Sequence, residues 1–163
     1  MSRDEARVPT LEDLLALCAE LNRRGARYVV VGGMAMIRLG FTRATEDIDL
    51  LVESGAENER RVIDALATLP DHAAAELKPG EIERYEVIRV ADEVVVDLMS
   101  RACGVSFREA EPLIEQAEVQ GVSIPFASAE LMGRLKQGDR LKDKLDLEFL
   151  SRLAPRKGKR DRA

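Results

Sequence analysis

The chain has 163 residues, 45% of them hydrophobic and 34% charged, which suits one ordinary domain with a real apolar core. With 30 acidic against 25 basic residues the formal net charge is -5, which argues against a surface devoted to gripping a nucleic-acid backbone. Cys18 and Cys103 are far apart and His72 is the single histidine, so a Cys/His zinc site and a Ser-His or Cys-His nucleophile are both hard to assemble. His72 reads as a surface turn residue. The opening MSRDEARVPT has charges of both signs and no apolar core, unlike a signal peptide, and the longest apolar stretch is too short for a bilayer. The expectation is a cytoplasmic protein with reduced thiols and no membrane partner.

In chain order, TLEDLLALCAELNRRG puts Leu11, Leu14, Leu15, Cys18 and Leu21 at helical spacing, with Thr10 as N-cap and Gly25 as stop. ARYVVVGG follows as a β-branched strand ended by glycines, and MAMIRLG as a helix. EDIDLLVE reads as a second strand, with Asp47 and Asp49 on one face and Ile48 and Leu50 on the other. A capping box from Ser54 to Glu57 predicts the start of a helix that carries Val62, Ala65, Leu66 and Leu69 and ends before Pro70. IERYEVIRV and EVVVDLMS read as two strands joined at Ala91-Asp92-Glu93, a hairpin that makes the sheet mixed.

Ser106 and Glu109 cap a helix that Pro112 keeps short, and EVQGVSIPFAS supplies short edge strands in which Pro125 is tolerable. The last third reads as two helices divided near Gly138, with Leu131, Leu135, Leu145, Leu147 and Leu150 apolar. The expected organisation is a single domain over residues 1–155 and a basic disordered tail over 156–163. The fold class is α/β (α+β), a mixed β-sheet flanked by helices with further helices at the C-terminus.

The chemistry concentrates between Val29 and Asp97. Residues two apart in a strand project to the same side about 6.6–6.8 Å apart, so the Asp47 and Asp49 carboxylates converge while Ile48 anchors the strand. Like charges this close repel unless a proton or a cation intervenes, and oxygen-only ligands favour magnesium or manganese over zinc. Asp97 stands inside the apolar run VVVDLM, and if its strand lies beside the first it reaches the same site. Three carboxylates so arranged suit metal-assisted displacement at phosphorus. Gly32 and Gly33, where a strand turns into a helix, let a ligand's phosphates approach the backbone, and Arg43 and Thr45 offer a cation and a hydroxyl beside them.

These residues resemble the signature of the polymerase-β-type nucleotidyltransferases: an apolar residue, Gly-Gly, a largely helical spacer, then Asp-apolar-Asp-apolar. Here it stands as Val31-Gly32-Gly33, residues 34–46 and Asp47-Ile48-Asp49-Leu50, with Asp97 as the third carboxylate. GFTRATEDIDL is also similar to the bacterial branch that includes small, abortive-infection toxin-type enzymes. The closing LKQGDRLKDKLDLEFL resembles their lysine-bearing helices, in which Lys136 and Lys142 are candidates for nucleotide contact. The resemblance implies a nucleotidyltransferase fold and metal-dependent transfer of an NMP from an NTP to a hydroxyl acceptor. It also implies Mg2+ or Mn2+ at Asp47, Asp49 and Asp97, and a place in a toxin-antitoxin system. The acceptor stays open between a protein, a tRNA and a small molecule.

Blander readings fit single features. Lysines on amphipathic helices usually face solvent, and an arginine such as Arg43 is often a surface residue. A Rossmann unit would use Gly33 and place Glu53 as a ribose acid, but the Gly-x-Gly-x-x-Gly pattern is missing. A non-catalytic antitoxin or regulatory protein on the same fold is the remaining alternative, against which three clustered charges weigh.

Overall fold

The computed structural model describes residues 6–136 and 141–161, and of residues 141, 142 and 154–161 the backbone alone. Helix α1 (Leu11–Arg23) starts in a full capping box between Thr10 and Asp13 and stops at Gly25, whose φ of +70° suits a residue without Cβ. Arg7 forks onto both Asp13 oxygens at 2.6 Å and reaches Glu93 at 3.0 Å. The chain ahead of α1 is thereby tied to the far hairpin.

Strand β1 (Tyr28–Val31) is buried at every position, as an apolar run in mid-sheet should be, and leads directly into α2 (Gly32–Arg38). Strand β2 (Asp47–Val52), helix α3 (Ala56–Leu66) and helix α4 (Glu81–Tyr85) follow, then the hairpin of β3 (Val87–Ala91) and β4 (Val95–Met99). A small ribbon of β5 (Arg101–Ala102) and β6 (Val105–Ser106) leads to α5 (Phe107–Ala110), capped by Ser106 and Glu109 as expected. Strands β7 (Ile114–Val119) and β8 (Val122–Ala127) and helices α6 (Ala129–Leu135) and α7 (Leu141–Asp161) complete the chain. The division between the last two helices falls where the sequence puts Gly138, which lies outside the described residues.

Six strands form one mixed sheet in the order β3-β4-β2-β1-β8-β7. β2 runs parallel to β4 and β1 parallel to β8, while the β1–β2, β3–β4 and β7–β8 pairs are antiparallel. Period-two alternation sends Val30, Ile48, Leu50, Val96 and Leu98 to one face, where Leu14, Leu21, Val62 and Leu66 of α1 and α3 cover them. The opposite face carries Val29, Val31 and Leu51 against Met36, Phe107, Leu131, Met132 and Leu150. Asp47, Asp49 and Asp97 continue the rows of this second face. They extend this face beyond the second core, Asp97 buried and Asp47 and Asp49 partly exposed.

Four local expectations are corrected. IERY is helix rather than strand: the buried Glu59 carboxylate accepts the N–H groups of Gly80 and Ile82, both at 2.9 Å, and so caps a turn that buries Ile82. The Ser54–Glu57 box does not form, because Gly55 is the N-cap of α3 and Asn58 turns inward to bond Arg27 and Glu53. The hairpin is centred on Glu93, with Ala91 opposite Val95. Pro125 lies in β8 between two strands, where the ladder to β1 pairs only Val30 with Phe126 and the missing N–H costs little. His72 is an exposed turn residue, as expected, and Cys18 and Cys103 are both free. Among the described residues no helix is long and apolar enough to cross a membrane.

Candidate active site

The site begins where β1 becomes α2. Gly32 has a φ of +66°, and a Cβ there would lie 2.0 Å from Asp49 Oδ2. A Cβ on Gly33 would lie 2.5 Å from Thr45 Oγ1. The Thr45 hydroxyl donates to the Asp47 carbonyl oxygen at 2.9 Å, which fixes the entry into β2. Both glycines are thus required by neighbouring side chains, Gly32 by Asp49 of β2 and Gly33 by Thr45 just ahead of it.

Parallel pairing sets Asp49 directly opposite Asp97 and Asp47 opposite Val95. Each of the three aspartates offers a carboxylate oxygen within 4.8 Å of the other two. Burial, then the charges of Asp47 and Asp97, push Asp49 up to about 7. Asp47 is raised by the same causes, burial first and then Asp97. Three carboxylates this close repel one another, and oxygen-only donors at these separations fit a hard divalent cation.

A residue the sequence reading missed supplies part of the counter-charge. Arg89 faces Asp97 across the β3–β4 hairpin. Its Nε and Nη2 donate to the two Asp97 oxygens at 2.8 Å each, and Nη2 lies 3.3 Å from Asp47 Oδ2. The signal was present in the alternation of Ile88, Arg89 and Val90. A turn centred one residue too early hid it.

Lys136, at the end of α6, lines a cavity of about 160 Å3 together with Gly32, Asp49 and Asp97. Its Nζ lies 3.2 Å from Asp146 Oδ2 and 3.9 Å from Asp143 Oδ1 on α7, and its charge works against the rise of Asp49. Arg43 Nη1 lies 2.7 and 2.6 Å from the two oxygens of Asp146, which is almost wholly buried. The structure therefore brings Lys136 to the triad and commits Arg43 to α7. Phe41 and Phe149 strengthen the same junction edge to face, with ring centroids 4.8 Å apart. The side chain of Lys142 lies outside the described residues.

On the Asp47 side a second cavity, of about 390 Å3, is lined by Arg7, Glu46, Asp47, Arg89 and Val95. The triad stands between the two cavities. The antiparallel β1–β2 pair is incompatible with a Rossmann βαβ unit, and Glu53 is held by Arg27 at 2.9 Å.

A family model described as "Nucleotidyl transferase AbiEii toxin, Type IV TA system" matches residues 14–162. The chain belongs to the AbiEii nucleotidyltransferase toxin family. Solved structures share the nucleotidyltransferase fold of this AbiEii family member. TM1012 of Thermotoga maritima is 14% identical with a TM-score of 0.52, over 98% of this chain and 97% of its own. The lincosamide antibiotic adenylyltransferase LnuA, solved with lincomycin, is 14% identical at 0.54, over 89% of this chain and 98% of its own. An antigenic nucleotidyltransferase-like protein of Paracoccidioides brasiliensis is 19% identical at 0.54, over 94% of this chain and 78% of its own. No curated protein matches the AbiEii-type chain.

Proposed function

We propose that the chain moves a nucleoside monophosphate from an NTP to a hydroxyl of an acceptor, releasing pyrophosphate, as the toxin of a toxin-antitoxin pair. The observation that carries this reading is the convergence of Asp47, Asp49 and Asp97 beside Gly32, where they line two cavities. Membership of the AbiEii family supports both the reaction class and an antitoxin as partner.

Asp47, Asp49 and Asp97 would hold magnesium or manganese. When bound, the ion supplies positive charge that offsets the carboxylates and the phosphates. Asp97 would receive the proton of the acceptor hydroxyl as its oxygen bonds to the α-phosphorus and the bond to pyrophosphate breaks. Gly32 and Gly33, whose missing Cβ atoms make room for Asp49 and Thr45, would cradle the β and γ phosphates with their backbone. The Lys136 ammonium, in the cavity that Asp49 and Asp97 share, is a point charge for a phosphate oxygen, and Lys142 is assigned to the same nucleotide. Arg43 acts at one remove by anchoring α7 through Asp146, and Thr45 by fixing Asp47. The acceptor is a protein side chain, a tRNA end or a small molecule.

The test is calorimetric titration with non-hydrolysable NTPs in magnesium, with Asp49→Asn alongside, followed by transfer from labelled NTP. NTP binding that needs both magnesium and Asp49 supports the reading. A folded protein that binds no NTP would instead be a partner-binding member of the fold.

A further inference from the structure

Asp97 has two demands on it. The proposed reaction needs its carboxylate for a cation and a proton, yet both of its oxygens accept hydrogen bonds from Arg89 at 2.8 Å. The fork is not incidental, because the antiparallel register holds Arg89 opposite Asp97 and its Nη2 also reaches Asp47. A bidentate guanidinium is the strongest partner a carboxylate finds among side chains.

We propose that Arg89 is the resident counter-ion of the triad, holding Asp47 and Asp97 together without metal and competing with the divalent cation for Asp97. This rests on the metal-dependent reading above. Arg89 and a dication on the same carboxylates are like charges a few ångströms apart, so each weakens the other. Three features let the guanidinium yield. β3 is an edge strand, the Arg89 side chain is 36% exposed, and it borders the 390 Å3 cavity with Arg7, Glu46 and Val95. Asp97 is by contrast only 11% exposed in its side chain and cannot follow it outward. The cation therefore enters by displacing an arginine that has somewhere to go.

Arg89 is a positioning residue in this scheme, and the deciding measurement is metal affinity without nucleotide. Free Mn2+ is followed by electron paramagnetic resonance as it is titrated into wild type, Arg89→Gln and Arg89→Lys. Arg89→Gln should bind Mn2+ at least about tenfold more tightly, a factor that corresponds to about 1.4 kcal/mol. Arg89→Lys, which keeps the charge but lacks the planar fork that matches both Asp97 oxygens, should fall between. In EDTA the Gln variant should melt below wild type, and Mn2+ should raise its midpoint by more. A natively folded Arg89→Gln that binds Mn2+ no more tightly than wild type overturns the proposal and leaves the metal reading standing. Should that variant not fold, Arg89→Lys decides alone: affinity equal to or weaker than wild type overturns it. Absence of Mn2+ binding in all three proteins overturns the proposal and the metal reading together.

Discussion

Gly32 and Asp49 exclude one another's side chains: the space a methyl group on Gly32 would need is already filled by the Asp49 carboxylate, 2.0 Å away. Gly32→Ala should displace Asp49 as well as strain a backbone at φ +66°, lowering stability by roughly 1–3 kcal/mol and abolishing Mn2+ binding. Gly40→Ala, also at positive φ but facing open space, should show the strain without the loss of metal. Because the clash is pairwise, adding Asp49→Ala to Gly32→Ala should recover part of the lost melting temperature. Additive effects in that double-mutant cycle would mean that the two side chains do not meet.

Asp49→Asn separates function from folding in opposite directions. Transfer from labelled NTP should fall on the order of a thousandfold or more, since several kcal/mol of charge stabilisation depends on the carboxylate. The metal-free protein should become more stable, because a half-buried like charge is removed, and about 1 kcal/mol moves the midpoint by about 2–4 °C in a domain of this size. A variant that melts lower than wild type in EDTA would contradict the repulsion inferred for the triad.

The same repulsion fixes the pH dependence. Asp49 rises from an ordinary 3.8 to about 7 on folding, so between those values the folded protein holds a proton that the unfolded chain releases. Stability from this group is therefore present at low pH and is lost as pH rises toward 7. Asp13, lowered to about 2 chiefly by its hydrogen bond to Arg7, acts only below about 4 and leaves this window untouched. Melting in EDTA should drop between pH 5 and pH 8, the profile should flatten in Asp49→Asn, and Mn2+ should raise the midpoint more at pH 8. A midpoint that climbs over this interval would refute the assignment.

Much of this site was legible from residue spacing alone. Asp-Ile-Asp and Asp97 announce themselves because charges inside apolar strands have few structural uses, and a period of two tells which face they share. Arg89 and Asp146 were hidden for a different reason: each becomes meaningful only through a partner, Asp97 across a hairpin and Arg43 from a distant loop. The IERY helix was hidden likewise, since Glu59 caps it from another helix. Local pattern carries alternation well and carries side-chain pairing between elements poorly.

Asp146 lies between two cations, with Arg43 at 2.6 Å and Lys136 at 3.2 Å. Asp146→Ala should cost roughly 3–5 kcal/mol, the range for breaking a buried pair by removing one partner, here that of Arg43. The two cations should then part company when each is removed. Lys136→Ala should weaken NTP binding about tenfold or more, a factor worth about 1.4 kcal/mol, whereas Arg43→Ala should mainly lower the melting temperature. Thermal melts and NTP calorimetry on both variants check this, and equal losses of affinity would place Arg43 at the nucleotide after all.

The parallel β2–β4 pair has a kinetic consequence. Asp49 and Asp97 meet only once the long connection through α3, α4 and β3 has closed and brought β4 beside β2, so the triad belongs to the slow, non-local part of folding. A chain still assembling has no cluster for a dication to grip. Metal should then leave the refolding rate almost unchanged and slow the unfolding rate, so that the loaded protein gains its lifetime by resisting escape from the native state.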